Sequence, residues 1–491
     1  MKPGKADTVF VGIGAIASGL GGFGFTWAVA RGLGVAGTGI VLTLVTWFTL
    51  LAGVTKLGMD TTLVREGGRI RAAEGESGAR ALVPWTILPP ILLSAALGLG
   101  IAISAPWLGP LVLPGSPVPL TTLLIIGGCA LPAGVATIVG LALIRGLGQI
   151  RPFVCIEQVG KPGVRTVAAL LLALFGVTVS SIYFAAWIVP VWVGALATWL
   201  VLRRRLRDEP RGALSGAERS RIWRYATPRA ASQVADLANT SLGILLLGAL
   251  AGASAAGQYA TAFRIVIAGQ LIFQAARLLL SPSLAAMLAT HRIKDTDETF
   301  STGTVLIVLA AWPVFLTCLA LPEQVLSIFG PGFSDGALTL QVLALSGLLL
   351  AVVGTQGSVV LMSGRSLFAL LATSAALVAN LVLTLTLVSL LGPVAAAVGW
   401  TSGILLEGIL LGFALRRIGV TPLPRQALGA AALTASTVGV GLLVFRLLLG
   451  EHLVVGSVVL GAAVVLWLVL CVPRGLRALH TLTDQREPSK V

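Results

Sequence analysis

Apolar runs of roughly 20 residues recur along the whole chain, and each is long enough to cross about 30 Å of hydrocarbon as a helix. The runs place helices at roughly 8–30, 36–58, 81–104, 120–144, 163–179, 181–202, 230–252, 257–280, 302–321, 338–362, 367–390, 394–415, 428–449 and 454–472. No segment between them is large enough to fold as a separate soluble domain. The pattern predicts an all-α, polytopic membrane protein of about 14 transmembrane helices. Lys2, Lys5 and the Ala28-Val29-Ala30 sequence imitate a signal peptide. The stretch from Thr8 to Ala30 is longer than a signal's apolar region, and retaining it makes the helix count even, so it is read as the first span.

Charge then orients the helices. Only 11% of the residues are charged and 56% are hydrophobic, whereas a soluble domain carries about 25% charged residues. The net charge is +15, and its positive residues gather in alternate loops. One set holds Arg65, Arg69, Arg71 and Arg80, then Arg145, Arg151, Lys161 and Arg165, then Arg203, Arg204, Arg205 and Arg207. Arg292, Lys294, Arg365, Arg416, Arg417, Arg425, Arg474 and Arg477 fall on the same side, and loops such as 105–119 on the other side are nearly free of Lys and Arg. That bias puts both termini in the cytoplasm. A basic footprint with no soluble module to carry it argues against a nucleic-acid partner and for anionic lipid headgroups. Cys129, Cys155, Cys318 and Cys471 are scattered, as are His291, His452 and His480, so no metal cluster is indicated.

The longest polar segment, 203–229, divides the chain into an N-terminal lobe of helices 1–6 (1–202) and a C-terminal part. The latter holds helices 7–12 (230–415), then helices 13–14 with a cytoplasmic tail (416–491). The segment reads as a basic linker with an amphipathic portion suited to the headgroups. The two parts echo each other. Val35-Ala36-Gly37 and Ala255-Ala256-Gly257 follow the first helix of each, and Arg145-Gly146 and Gly364-Arg365 lie about 110 residues later in each. Matching landmarks point to a duplicated six-helix unit with two extra helices, a parallel-repeat transporter plan. No phosphate-binding GxxxxGK[ST] loop is present, since Gly160-Lys161 is followed by Pro162. No long external loop carries paired carboxylates or a nucleophile with its base. Transport, with no enzymatic activity and no cofactor, is the reading left.

Several segments carry a resemblance: ARGLGVAGTGIVLTLVTW (30–47), LALIRGLGQIRP (141–152), GASAAGQYATAFRI (252–265), LPEQVLSIFGPGFSDGALTLQVLALSGLL (321–349) and LLGPVAAAVGWTSG (390–403). In order and spacing the chain resembles the polysaccharide-export branch of the multidrug/oligosaccharidyl-lipid/polysaccharide (MOP) superfamily, the Wzx-type and MurJ-like lipid-linked sugar flippases. The resemblance implies a MATE-like pair of helical lobes around a central cavity in the bacterial inner membrane, working by alternating access. It implies a polyprenyl-diphosphate-linked glycan as cargo, with a glycan polymerase or export machinery as partners. Two rivals remain: a cation-coupled multidrug exporter of the same superfamily, and a membrane enzyme of envelope polysaccharide synthesis.

A lipid diphosphate calls for shielded cations, and ionisable groups inside spans are functional candidates. Arg264 lies seven residues past Gly257, about 10 Å along a helix. Snorkelling or a carboxylate partner is its structural alternative. Arg31 and Arg277, near helix ends, are candidate phosphate ligands or interface anchors, and Arg446 is read as an anchor. The resemblance implies a sodium site between helices 7, 11 and 12, where Asp236, Asn380 and Thr401 stand, with Glu407 as a proton-linked substitute. Ordinary interhelical hydrogen bonds are the alternative for Asn380 and Thr401. Pro89-Pro90, Pro132 and Pro190 mark candidate kinks, and Trp47, Trp85, Trp107 and Trp187 read as an interfacial belt.

Overall fold

The computed structural model describes residues 5–74, 79–116, 118–207, 213–353, 355–448 and 453–484. Every regular element among them is helical, with no strand. This is what lipid demands, because a helix satisfies its backbone donors and acceptors within one segment. Eleven stretches are long and apolar enough to cross a membrane. Two of these, Phe10–Thr55 and Gly216–Gln274, are each broken by a glycine in left-handed backbone: Gly34 at φ 66° and Gly252 at φ 82°. The eleven stretches therefore hold more than eleven crossings, in keeping with an expectation of about 14. The short helix Lys161–Leu174 adds to them.

These glycine breaks recur. Gly34, Gly115, Gly148 and Gly176 have positive φ, and so do Gly252, Gly332, Gly364 and Gly392. Taken in order, each member of the second set follows its counterpart by roughly 217 residues, a repeat signature written in backbone conformation. Only glycine adopts these angles without strain.

The chain forms two compact units, Met1–Ala260 and Thr261–Val491, which divide inside the long helix Gly216–Ala289. Within the first unit, equivalent points of the two repeats touch. Gly39 and Gly257 each lie five residues beyond their break. A Cβ on Gly39 would come within 1.8 Å of the Ala253 carbonyl oxygen, and one on Gly257 within 2.1 Å of the Val35 carbonyl oxygen. The two backbones are thus in direct contact, the small-residue packing that membrane helices favour.

The segment before the seventh span is described from residue 213. Ser215 and Glu218 make a reciprocal capping box: the carboxylate accepts from the Ser215 N–H and hydroxyl, both at 2.9 Å, and Ser215 Oγ accepts from the Glu218 N–H at 3.2 Å. The helix so started docks on the first unit. Arg221 donates to Glu66 at 3.2 Å, Arg219 stacks 3.9 Å from the Trp85 ring centre, and Arg65 lies 4.2 Å from that of Tyr225. This part of the basic linker is therefore engaged with the helix Met59–Glu74 and its surroundings. Residues 208–212, Lys2, His452, and the side chains of Arg277, His480, Arg474 and Arg477 lie outside the described set.

In the second unit, side chains tie helices together through backbone carbonyls. Gln341 donates to Leu319 O at 3.0 Å, Trp312 to Leu348 O at 3.3 Å and Gln356 to Pro422 O at 2.9 Å. Leu284, Phe300, Val359 and Leu415 belong to its apolar core. Pro132 and Pro190 sit inside continuous helices, while Pro89 and Pro90 begin Leu88–Val112 after a π-helical turn, Val83–Ile87.

The Gly39–Gly257 approach gives a direct test. Gly39→Ala should destabilise the folded protein by about 1–3 kcal/mol through overpacking, read as a lowered thermal transition in detergent. Gly100→Ala, where a Cβ meets open space, should leave the transition unmoved. Equal effects of the two changes would refute the close contact.

Candidate transport site

Within the first unit the polar centre lies on a helix that sequence reasoning placed partly in a loop. Residues 151–174 form one helical path: Arg151–Phe153, a π-helical turn Val154–Gly160, then Lys161–Leu174. Pro162 is accommodated at the first turn of the α segment, where a missing N–H costs nothing. The first helix meets this path with a face of glycines. A Cβ on Gly14 would overlap Gln158, one on Gly21 would overlap Pro162, and one on Gly24 would overlap Thr166. Thr166 Oγ1 donates to Gly21 O at 2.6 Å across this seam.

The close seam buries charge. Lys161 is only 7% exposed, and its ammonium donates to both Glu157 oxygens, at 2.9 and 2.7 Å. Gly194, whose Cβ would come 3.1 Å from Lys161 Cδ, leaves room for the lysine stem. One turn further, Arg165 donates from Nε to Trp187 O at 3.0 Å, and its guanidinium lies 3.8 Å from the Trp187 ring centre. Trp187 in turn packs edge-on to Phe48. Glu157, Lys161 and Arg165 are spaced i, i+4, i+8. This is the helical ion-pair pattern, and it was the signal available in the sequence. Lys161 and Arg165 are therefore not loop charges as expected, but groups held among helices.

The predicted residues fall as follows. Arg31 is exposed near the Gly34 break, with its guanidinium 5.8 Å from the Trp27 ring centre, as an interfacial anchor would be. Asp236 is exposed on the helix Gly216–Ala289, within the first unit. Asn380, Thr401, Glu407 and Arg264 belong to the second. Arg264 is half-buried and makes no hydrogen bond or ion pair with any described residue. Its neighbour Phe263 packs edge-on to Trp400, whose indole nitrogen is buried without a partner. The carboxylate that could have explained Arg264 structurally is not there among the described residues. Arg277 lies on the same long helix.

Asn380 and Thr401 are 1% and 7% exposed. Asn380 Oδ1 accepts from Thr384 at 3.3 Å, and the Thr401 hydroxyl donates to Ala397 O at 2.8 Å and Val342 O at 3.3 Å. Glu407 Oε1 accepts from the Thr373 hydroxyl at 2.7 Å, linking the helices Ser366–Leu391 and Pro393–Arg416. Six residues separate Glu407 from Thr401, about 9 Å along the helix, which sets them apart as ligands of a single ion. The oxygens of Asn380 and Thr401 suit a hard cation in type, and in this unit both already serve packing.

The paired glycine breaks and the cations held inside spans belong to a multi-pass helical membrane protein. In fold the chain is similar to the lipid II flippase MurJ in an inward closed conformation, with TM-score 0.72 and 12% identity over 94% of this chain and 98% of the other. It is also similar to an inward-facing multidrug resistance MATE family transporter of the MOP superfamily (TM-score 0.65, 17% identity, 84% of this chain and 98% of the other). A MOP superfamily transporter from Pyrococcus furiosus has TM-score 0.55 and 19% identity over 84% of this chain and 95% of the other. No curated protein matches the chain in sequence. Residues 5–288, more than half of the chain, match the polysaccharide biosynthesis protein family, and the chain belongs to that family. It is accordingly a multi-pass membrane protein of that family, with the fold of these transporters.

The Lys161–Glu157 pair predicts a reversal. Glu157→Gln leaves a buried ammonium uncompensated and should cost about 1–3 kcal/mol, less than a fully enclosed pair because Glu157 keeps some solvent. Glu157→Gln with Lys161→Met should recover most of that loss in thermal unfolding. A double variant no more stable than the single would remove the pair from this account.

Proposed function

We propose that this protein is a flippase that moves a polyprenyl-diphosphate-linked oligosaccharide across the cytoplasmic membrane by alternating access, with both termini cytoplasmic. The observation that carries the reading is Arg264: a half-buried guanidinium on a membrane-spanning helix, with no described counter-charge. A cation so placed is costly in lipid unless it serves an anion, and its planar fork suits phosphate oxygens. The family match to polysaccharide biosynthesis supports a glycan cargo. Arg31 and Arg277 are further candidates to meet the diphosphate along its path. Glu407, half-buried beside Thr373, is the carboxylate best placed to carry a coupling proton, while Asp236 with Asn380 and Thr401 is the sodium alternative. A glycan polymerase or export machinery would take the cargo on the far side.

The fold shared with MATE transporters favours the second reading, a multidrug exporter. A cationic drug would be recognised by an unneutralised carboxylate, and Arg264 is of the wrong sign for that role.

The deciding measurement is the leaflet distribution of lipid-linked glycans, by mass spectrometry and an impermeant probe, in cells with and without the protein. Intact polyprenyl-diphosphate oligosaccharide should accumulate facing the cytoplasm when the protein is missing or carries Arg264→Ala, while Arg264→Ala still inserts normally. An unchanged pool with altered efflux of a cationic dye would establish the exporter. For coupling, Glu407→Gln should abolish the response of transport to a pH gradient. An undiminished response there, with a sodium response lost in Asp236→Asn, would move the ion to the other site.

A further inference from the structure

Two apolar crevices open in the second unit on either side of Phe413, a side chain that lines both. The larger, about 540 Å³, runs between the helices Ile293–Ala320, Ala337–Val353, Pro393–Arg416 and Arg425–Thr434. Leu348, Val352 and Ile409 are typical of its wall, and Arg416 and Gln356 are its charged and amide groups. The smaller, about 440 Å³, is walled by Phe368, Leu410 and Phe413, with Arg365 and Arg417 beside it. Each volume is of the size that encloses a ligand's apolar part.

The cations gather at one end of this pair. Arg416 and Arg417 follow Phe413 by one helical turn, and Arg365 Nη1 reaches Ala414 O at 3.5 Å. All three arginines are exposed, and none is ion-paired with a described residue. Arginines at a helix C-terminus have an ordinary explanation in the helix dipole and in membrane sidedness. Neither accounts for Gln356. That residue is 1% exposed, and its amide nitrogen is committed to Pro422 O, while Oε1 has no partner and the residue lines the larger crevice. A buried acceptor in this state calls for a donor that the described residues do not supply.

We propose that the two crevices hold the two acyl chains of an anionic phospholipid with a hydroxylated headgroup, phosphatidylglycerol in type. Its phosphate sits among Arg365, Arg416 and Arg417, and a headgroup hydroxyl donates to Gln356 Oε1. Two crevices sharing one wall fit a two-chain lipid, where a polyprenyl carrier has a single chain. Three arginines without counter-charges supply the complementary sign. The proposal rests on the reading above only for the leaflet, the cytoplasmic one. The lipid is a resident component rather than cargo, and its binding is measured without any flipping assay.

The test uses the full chain, purified in detergent and examined by native mass spectrometry and thermal unfolding with dioleoyl phosphatidylglycerol, dioleoyl phosphatidylcholine or soluble glycerol 3-phosphate. Phosphatidylglycerol should be retained and should raise the unfolding temperature, while phosphatidylcholine and glycerol 3-phosphate should do neither. Arg365→Gln/Arg416→Gln/Arg417→Gln should lower phosphatidylglycerol occupancy roughly tenfold or more, as expected for lost charge-assisted hydrogen bonds. Leu405→Trp, which fills the larger crevice, should lower occupancy with the arginines intact. Equal retention of both phospholipids, or full retention by the triple variant, would overturn the site. So would a stabilising effect of glycerol 3-phosphate equal to that of the lipid, or displacement of the lipid by a polyprenyl phosphate.

Discussion

Lipid offers no hydrogen bonds, so every polar group along the spans must find its partner within the protein. That constraint explains features that would otherwise look unrelated. Thr26, Thr38, Thr46, Thr137 and Thr304 each turn the hydroxyl back to the carbonyl four residues earlier. Arg165 donates to the carbonyl of Trp187 on a neighbouring helix. Glycines at seams bring backbones close enough for such bonds to form across helices, as Thr166 does with Gly21. Where a helix must change direction, the chain uses a left-handed glycine and resumes at once, keeping the unpaired backbone to a minimum.

Against this background of satisfied groups, the exceptions carry the functional argument. Lys161 is buried and paired with Glu157 on its own helical path, which fits a charge serving the architecture. Arg264 is half-buried without a described partner, which fits a charge kept for something the chain does not contain. Gln356 is of the second kind: half of its amide holds a loop carbonyl and the other half is left over.

Much of the fold was legible in the sequence because hydropathy is a one-dimensional signal and a span is a one-dimensional object. The glycine turns near residues 34 and 252 were visible as small-residue clusters, and Arg264 stood out as a cation too far from either end of its span. Rotation about a helix axis is not carried by hydropathy. It decides that Lys161 faces Gly194, and that Glu407 meets Thr373 rather than Thr401. Pro162 concealed the Glu157–Lys161–Arg165 series by looking like a helix start, which it is for the α segment, although a π turn continues the path before it. For Asp236, Asn380 and Thr401, the family resemblance, and no pattern of spacing in the chain, suggested a common site.

The glycine breaks were inherited twice, and the chemistry was not. Stepping from the first copy to the second by the repeat interval, the charged series of residues 157, 161 and 165 becomes Thr373, Leu377 and Leu381, and Arg264 faces back to Thr46. The joints are alike in the two copies, and the polar groups are not. One copy holds a buried ion pair, and the other a cation without a counter-charge among the described residues. The difference between the two copies therefore resides in a handful of side chains laid over a nearly even-handed frame.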